Sequence, residues 1–173
     1  MTADILPIER PWPSRLFVEV TSACNLRCAM CVRQSGPGIA ADYLAGAAFE
    51  MLIPAFPALE TLILNGVGEP LLHPDLEEFI RRARHHLSER ASIGFQTNGT
   101  LMDCERACSL LDAGTNVISI SVDAADPALF RAMRAGGEPD DVNRAADALE
   151  RAKKKVGGRR FRWGAELVLS EET

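Results

Sequence analysis

The stretch Glu19-Val20-Thr21-Ser22-Ala23-Cys24-Asn25-Leu26-Arg27-Cys28-Ala29-Met30-Cys31 decides the fold. Its first part closes an apolar, β-branched run, Leu16 to Thr21, that reads as a strand. Its second part spaces three cysteines four and then three residues apart. Because they follow the strand at once, they lie on the loop at its C-terminal end, the functional end of parallel α/β folds. Thiolates so spaced converge on one small object when the loop curls around it. Iron-sulfur clusters are commonly held by four thiolates, so three protein ligands on a cubane leave one iron open to a small chelating molecule. Two other readings stay open: a zinc site completed by a remote group such as His73, and three unliganded thiols.

The rest of the 173-residue chain agrees with a single α/β domain. Hydrophobic residues make up 47% and charged residues 25%, ordinary soluble usage that suggests neither disorder nor a membrane span. A formal net charge of -5 disfavours nucleic acid as the main partner. The first fifteen residues show no apolar h-region, which points to the cytoplasm. Three of the five cysteines crowd into eight residues, which suits metal binding better than a secreted disulfide framework.

Five strands are expected, Leu16 to Thr21, Thr61 to Asn65, Ser92 to Thr97, Val117 to Asp123 and Phe161 to Leu169, with helices between them. Leu76, Phe79, Ile80, Ala83 and Leu87 give one apolar stripe on a helix with a capping-box-like start at Asp75 and Glu78. Leu44 to Leu52 gives a second stripe, closed by Pro54 and Pro57. Asp103 caps a third helix whose buried face includes Cys104 and Cys108, which makes those two thiols core side chains rather than ligands. A fourth helix starts at Asp126 with Pro127 in its first turn. The last runs from Asp140 and ends in Lys153, Lys154 and Lys155. That basic run reads as a complement to the helix dipole ahead of Gly157, in preference to a phosphate or nucleic-acid patch.

Polar residues gather at the strand ends. Ser119, Ser121 and Asp123 share one face of the fourth strand while Ile118, Ile120 and Val122 share the other. Glu19, Thr21, Gln96 and Glu166 extend the polar face. Buried polar groups need partners, so a wet, ligand-filled interior is expected on that side, with mutually hydrogen-bonded side chains as the other possibility.

The Cys24, Cys28 and Cys31 motif on the loop after the first strand resembles the signature of the radical S-adenosylmethionine (SAM) superfamily. The resemblance implies an α/β partial parallel (βα) barrel with a [4Fe-4S] cluster on the three cysteines. The open iron would chelate SAM, and reductive cleavage would give a 5'-deoxyadenosyl radical that abstracts hydrogen from a substrate. Gly66-Val67-Gly68-Glu69-Pro70 resembles the family's Gly-Gly-Glu-Pro motif, implying contacts from Gly66, Gly68 and Glu69 to the methionine moiety. Met30 takes the place of the family's residue beside adenine. Thr97 and Asn98, and Ser119, Ser121 and Asp123, resemble SAM contacts at the third and fourth strand ends, the last two on the ribose side.

The resemblance further implies a reductant such as flavodoxin or ferredoxin. The look of Glu19 to Cys28 and of Gly66 to Pro74 is similar to the SPASM-type group that modifies peptides or natural products. Residues 1-15 are expected to be an N-terminal extension and 16-173 a core truncated after its fifth strand. Such a core would self-associate through that exposed strand. A non-catalytic cluster- or SAM-binding module and a zinc-stabilised interaction domain are the alternatives.

Overall fold

The computed structural model describes residues 11–35, 38–157 and 160–168. Five strands, β1 (Arg15–Phe17), β2 (Thr61–Ile63), β3 (Ser92–Thr97), β4 (Val117–Ser121) and β5 (Arg162–Glu166), pair in chain order and all in parallel. Parallel neighbours need long crossovers, and helices supply them. These are α1 (Gly46–Glu50), α2 (Leu76–His86), α3 (Cys104–Ala113), α4 (Pro127–Met133) and α5 (Pro139–Val156). Among the described residues no helix is long and apolar enough to cross a membrane.

The register stacks apolar residues on the helix side of the sheet. Leu62 lies opposite Ile93, and Phe95 opposite Ile118. Leu62, Ile93 and Ile118 are fully buried, each side chain contributing about 1.5–3 kcal/mol of transfer free energy. The stripe of α2 packs here through Leu76, Phe79, Ile80 and Ala83, and Phe79 stacks on Phe49 with centroids 4.3 Å apart. Capping residues act where the sequence places them in two helices. Asp103 accepts the N–H of Arg106 at 2.7 Å, and Asp126 that of Leu129 at 2.8 Å. At α2 the expected cap is not made: Asp75 has no capping bond and instead donates its N–H to His73 Nδ1.

Several boundaries differ from the sequence reading, each for a local reason. β1 stops at Phe17 because residues 20 to 22 leave β2 and pair with residues 42 to 44. Leu44 N–H donates to Val20, and Ser22 N–H to Asp42. That pairing also removes Leu44 from the expected second helix. Only Gly46–Glu50 remains, followed by a 3-10 segment, Ile53–Ala58, that carries Pro54 and Pro57. β2 ends at Ile63 rather than Asn65, whose side chain bonds Gln96. β4 ends at Ser121 because Asp123 takes a left-handed conformation, φ 60°, which no strand continues. Leu169 lies outside the described residues, as does most of the expected N-terminal extension, while β1 begins at Arg15, inside its limit.

Candidate functional site

At the C-terminal ends of the strands lies a cavity of about 380 Å³. Cys24, Cys28 and Cys31 line one wall, and the segments after β2, β3, β4 and β5 supply the others. The three thiols are free and half-buried. Among the described residues no three His, Cys, Asp or Glu side chains stand close enough together to hold a single metal ion. The cysteines border a volume instead of meeting at a point. Three soft thiols around such a space form a donor set that suits an iron-sulfur cluster. Burial pushes the Cys28 thiol up, with the Arg134 guanidinium pulling it the other way.

The cysteine loop is held by its neighbours along the backbone. Glu69 N–H donates to Ala23 C=O at 2.7 Å, directly before Cys24. On either side of Cys28, Arg27 N–H donates to Ala135 C=O at 2.9 Å and Ala29 N–H to Met133 C=O at 2.8 Å. Just before them Leu26 is buried and packs near Gly136 and Gly137. The turn leaving α4 is therefore one wall of the cysteine loop.

Glu69 is 2% exposed and spends its carboxylate inside the protein. Oε1 accepts from the Thr97 hydroxyl at 2.7 Å and from Leu71 N–H at 3.1 Å, while Oε2 accepts from Asn98 N–H at 2.7 Å. Burial holds this carboxyl above the usual range, with the three donors opposing it. The motif thus ties the segment after β2 to the end of β3 and to the cysteine loop. Gly68 is required for the close approach: a Cβ there would run into the carbonyl oxygens of Thr21 and Ala23.

Of the expected SAM contacts, Met30, Gly66, Gly68, Glu69, Thr97, Asn98, Ser121 and Asp123 all border the cavity. Ser119 does not: it stands two residues short of the strand's cavity end, outside the lining. Met30 is 41% exposed, and Val32, Leu167 and Val168 are further exposed apolar residues of the lining. Asp123 is engaged on both oxygens. Oδ2 meets Arg134 Nε at 2.6 Å and Oδ1 accepts Val168 N–H at 2.9 Å.

Arg134 is the residue that the sequence did not single out. It is 7% exposed and borders the cavity, whereas the flanking arginines Arg27 and Arg33 stay outside the lining. A buried arginine needs a carboxylate, and Asp123 on a polar strand end was the available signal.

Other polar residues are satisfied by protein partners. Glu19 Oε1 accepts Val67 N–H at 2.6 Å and the Thr21 hydroxyl donates to Asp42 C=O at 2.6 Å, while Gln96, whose Oε1 accepts Asn65 Nδ2 at 3.4 Å, borders the cavity together with Glu166. His73 is buried away from the cavity. Its Nδ1 accepts from Asp75 N–H, so Nε2 carries the proton donated to Leu44 C=O at 3.0 Å. With both ring nitrogens occupied it is a structural residue, not the fourth ligand of a zinc site. Cys104 and Cys108 sit on α3 outside the lining, with Cys108 packed against the core.

The model of the radical SAM superfamily matches residues 18–161. A tungsten-containing aldehyde ferredoxin oxidoreductase cofactor-modifying protein of Pyrococcus furiosus is 28% identical over 163 residues, covering 91% of this chain and 44% of that protein. A GTP 3',8-cyclase of Xanthomonas campestris pv. campestris is 37% identical over 145 residues, 79% of this chain and 42% of the cyclase. The chain therefore spans less than half the length of these curated relatives. The solved structure of anSMEcpe with bound AdoMet and Cp18Cys peptide superposes with a TM-score of 0.64 at 22% identity. The match covers 87% of this chain and 41% of that one, and it shows a shared partial-barrel fold. The chain belongs to the radical SAM superfamily, whose cofactors are a [4Fe-4S] cluster and SAM.

Proposed function

We propose that this chain carries the cluster and SAM site of a radical SAM enzyme acting on a peptide or natural-product substrate, with a flavodoxin- or ferredoxin-type reductant. The observation that carries the reading is the shared cavity: three free thiols on the β1 loop face the ends of β2 to β5 across one space. When bound, the cluster and SAM together supply a 5'-deoxyadenosyl radical, the hydrogen-abstracting species. The protein's part is to orient them. Cys24, Cys28 and Cys31 offer the thiolates, and the backbone from Gly66 to Gly68 offers polar groups to the methionine moiety. Ser121, buried at the end of β4, offers a hydroxyl to the ribose side. Leu26, Met30 and Val32 supply apolar surface along the wall, Leu26 buried and the other two open to an incoming ligand.

Anaerobic reconstitution with iron and sulfide, followed by dithionite and SAM, tests this. The expected product is 5'-deoxyadenosine, lost in Cys28→Ala together with the iron and kept in Cys104→Ala. A cluster signal perturbed by SAM without 5'-deoxyadenosine would replace the reading by a binding module. Stoichiometric zinc with no iron uptake would replace it by a zinc domain.

A further inference from the structure

Beside Cys24 the side chains of Asn25, Asn98 and Thr100 close a ring of hydrogen bonds. Asn25 Nδ2 donates to Thr100 Oγ1 at 2.7 Å, Thr100 Oγ1 donates to Asn98 Oδ1 at 2.7 Å, and Asn98 Nδ2 donates to Asn25 Oδ1 at 2.9 Å. Each group gives one bond and takes one. The direction is not arbitrary, because Thr100 N–H also donates to Asn98 Oδ1 at 3.0 Å. That backbone donor fixes which end of the Asn98 amide is oxygen, and the Asn25 amide must follow. A ring in which every donor is also an acceptor gains from mutual polarisation.

The ring belongs to a larger circuit. Asn98 N–H bonds Glu69 Oε2, and Glu69 N–H bonds Ala23 C=O, both at 2.7 Å. Residues 23 and 25, on either side of Cys24, are thus tied to residues 69 and 98, which are tied to each other. A loop so fastened cannot swing Cys24 without breaking several of these hydrogen bonds at once.

We propose that Asn25, Asn98 and Thr100 are positioning residues that aim the Cys24 thiol, so that the cysteine loop is shaped before any metal arrives. The inference rests on the reading of Cys24 as a cluster ligand. Metal sites generally depend on the groups that orient their ligands, and losing one such group commonly costs about 10- to 100-fold in metal affinity. Thr100 is the informative member because one hydroxyl makes both of its side-chain ring bonds, and Val and Ser substitutions separate that hydroxyl from the residue's shape.

The test compares Thr100→Val, which keeps the shape and loses the hydroxyl, with Thr100→Ser, which keeps the hydroxyl. Asn25→Ala, at an exposed position, serves as a second way of opening the ring. Two quantities are read: the rate of iron loss to a chelator from the reconstituted protein, and the alkylation rate of Cys24 in the metal-free protein by peptide mass spectrometry. Thr100→Val and Asn25→Ala should lose iron about 10- to 100-fold faster and alkylate faster at Cys24, with Thr100→Ser behaving as the parent. Parent rates for both quantities in Thr100→Val and Asn25→Ala would overturn the proposal, as would failure of Thr100→Ser to restore them. If the parent took up no iron, the cluster reading would fall. The metal-free alkylation rates would still decide whether the ring aims Cys24.

Discussion

Arg134 Nε lies 2.6 Å from Asp123 Oδ2, and both side chains are more than nine-tenths buried. The pair joins the turn after α4, which walls the cysteine loop, to the end of β4. Through Val168 N–H on the other carboxylate oxygen it also joins the segment after β5. A carboxylate so occupied is a structural tie first. Removing one partner of a buried ion pair leaves an uncompensated charge and costs about 3–5 kcal/mol. Asp123→Ala should therefore lower the stability of the metal-free protein by about that amount, read from urea melts. Replacing Arg134 by Met in the same chain should recover part of the loss. A metal-free Asp123→Ala protein as stable as the parent would mean that Asp123 is free to serve a ligand alone.

Glu69 gives the site a pH dependence. Its carboxyl is held above the ordinary 4.5 chiefly by burial. The folded protein then binds a proton at Glu69 more readily than the unfolded chain does, so stability falls as pH rises through the window above 4.5. Glu69→Gln removes the ionisation and should remove that slope. It also sets an amide N–H against Asn98 N–H, at a constant cost of about 1–3 kcal/mol. The difference in unfolding free energy between parent and variant, measured from pH 4.5 to 7.5, should shrink toward neutral pH. A difference that grows with pH would reverse the sign and show that the three donors outweigh burial.

The cysteine loop and β3 were legible because they follow local rules. Three cysteines directly after a β-branched run place themselves, and β3 has the bounds expected for it, Ser92–Thr97. The residues that sequence missed depend on contacts between distant segments. Arg134 reaches across eleven residues to Asp123, whose left-handed turn stands at the end of β4, and a positive φ in a residue other than glycine leaves no periodic trace. β1 is shorter than its apolar run because residues 42 to 44 compete for residues 20 to 22, a pairing that no local pattern announces. Glu19 and Thr21 looked like ligand-facing groups, yet each has a protein partner in another segment and stays outside the lining, whereas Gln96 and Glu166 do border the cavity.

Gly68 should tolerate no side chain. A Cβ there would lie 2.5 Å from Ala23 O and also overlap Thr21 O, both backbone atoms with no rotamer to yield. Gly68→Ala must push the segment after β2 away from the cysteine loop and stretch the bond from Glu69 N–H to Ala23 C=O. Overpacking of this kind costs about 1–3 kcal/mol. Gly66→Ala meets first the Glu19 side chain, which has rotamers to yield at the cost of its bond from Val67 N–H. Thermal melts should therefore show the larger loss for Gly68→Ala, accompanied by lower iron content after reconstitution. Equal losses in the two variants would show that the loop yields freely.

The fifth strand leads to the last expectation. β5 pairs with β4 along one edge and, among the described residues, has no strand on its other edge. Four of its five residues are exposed, and the segment that follows presents Leu167 and Val168, 56% and 49% exposed. An open edge with unpaired N–H and C=O groups beside exposed apolar side chains is a template for another strand. One restraint works against this, since Trp163 Nε1 donates to Glu150 Oε1 at 2.7 Å and fastens the strand to α5. The chain is accordingly expected to associate with itself as its concentration rises, through the free edge of β5. Light scattering over a concentration series should show the growth in mass. Hydrogen exchange across Arg162 to Glu166 should slow at high concentration, because a second strand takes up amides that otherwise face water. Replacing Leu167 and Val168 by lysine should shift the onset to higher concentration without loosening β4, since edge lysines discourage pairing. A chain that stays monomeric throughout, with exchange across β5 independent of concentration, would show that this edge is protected without a partner.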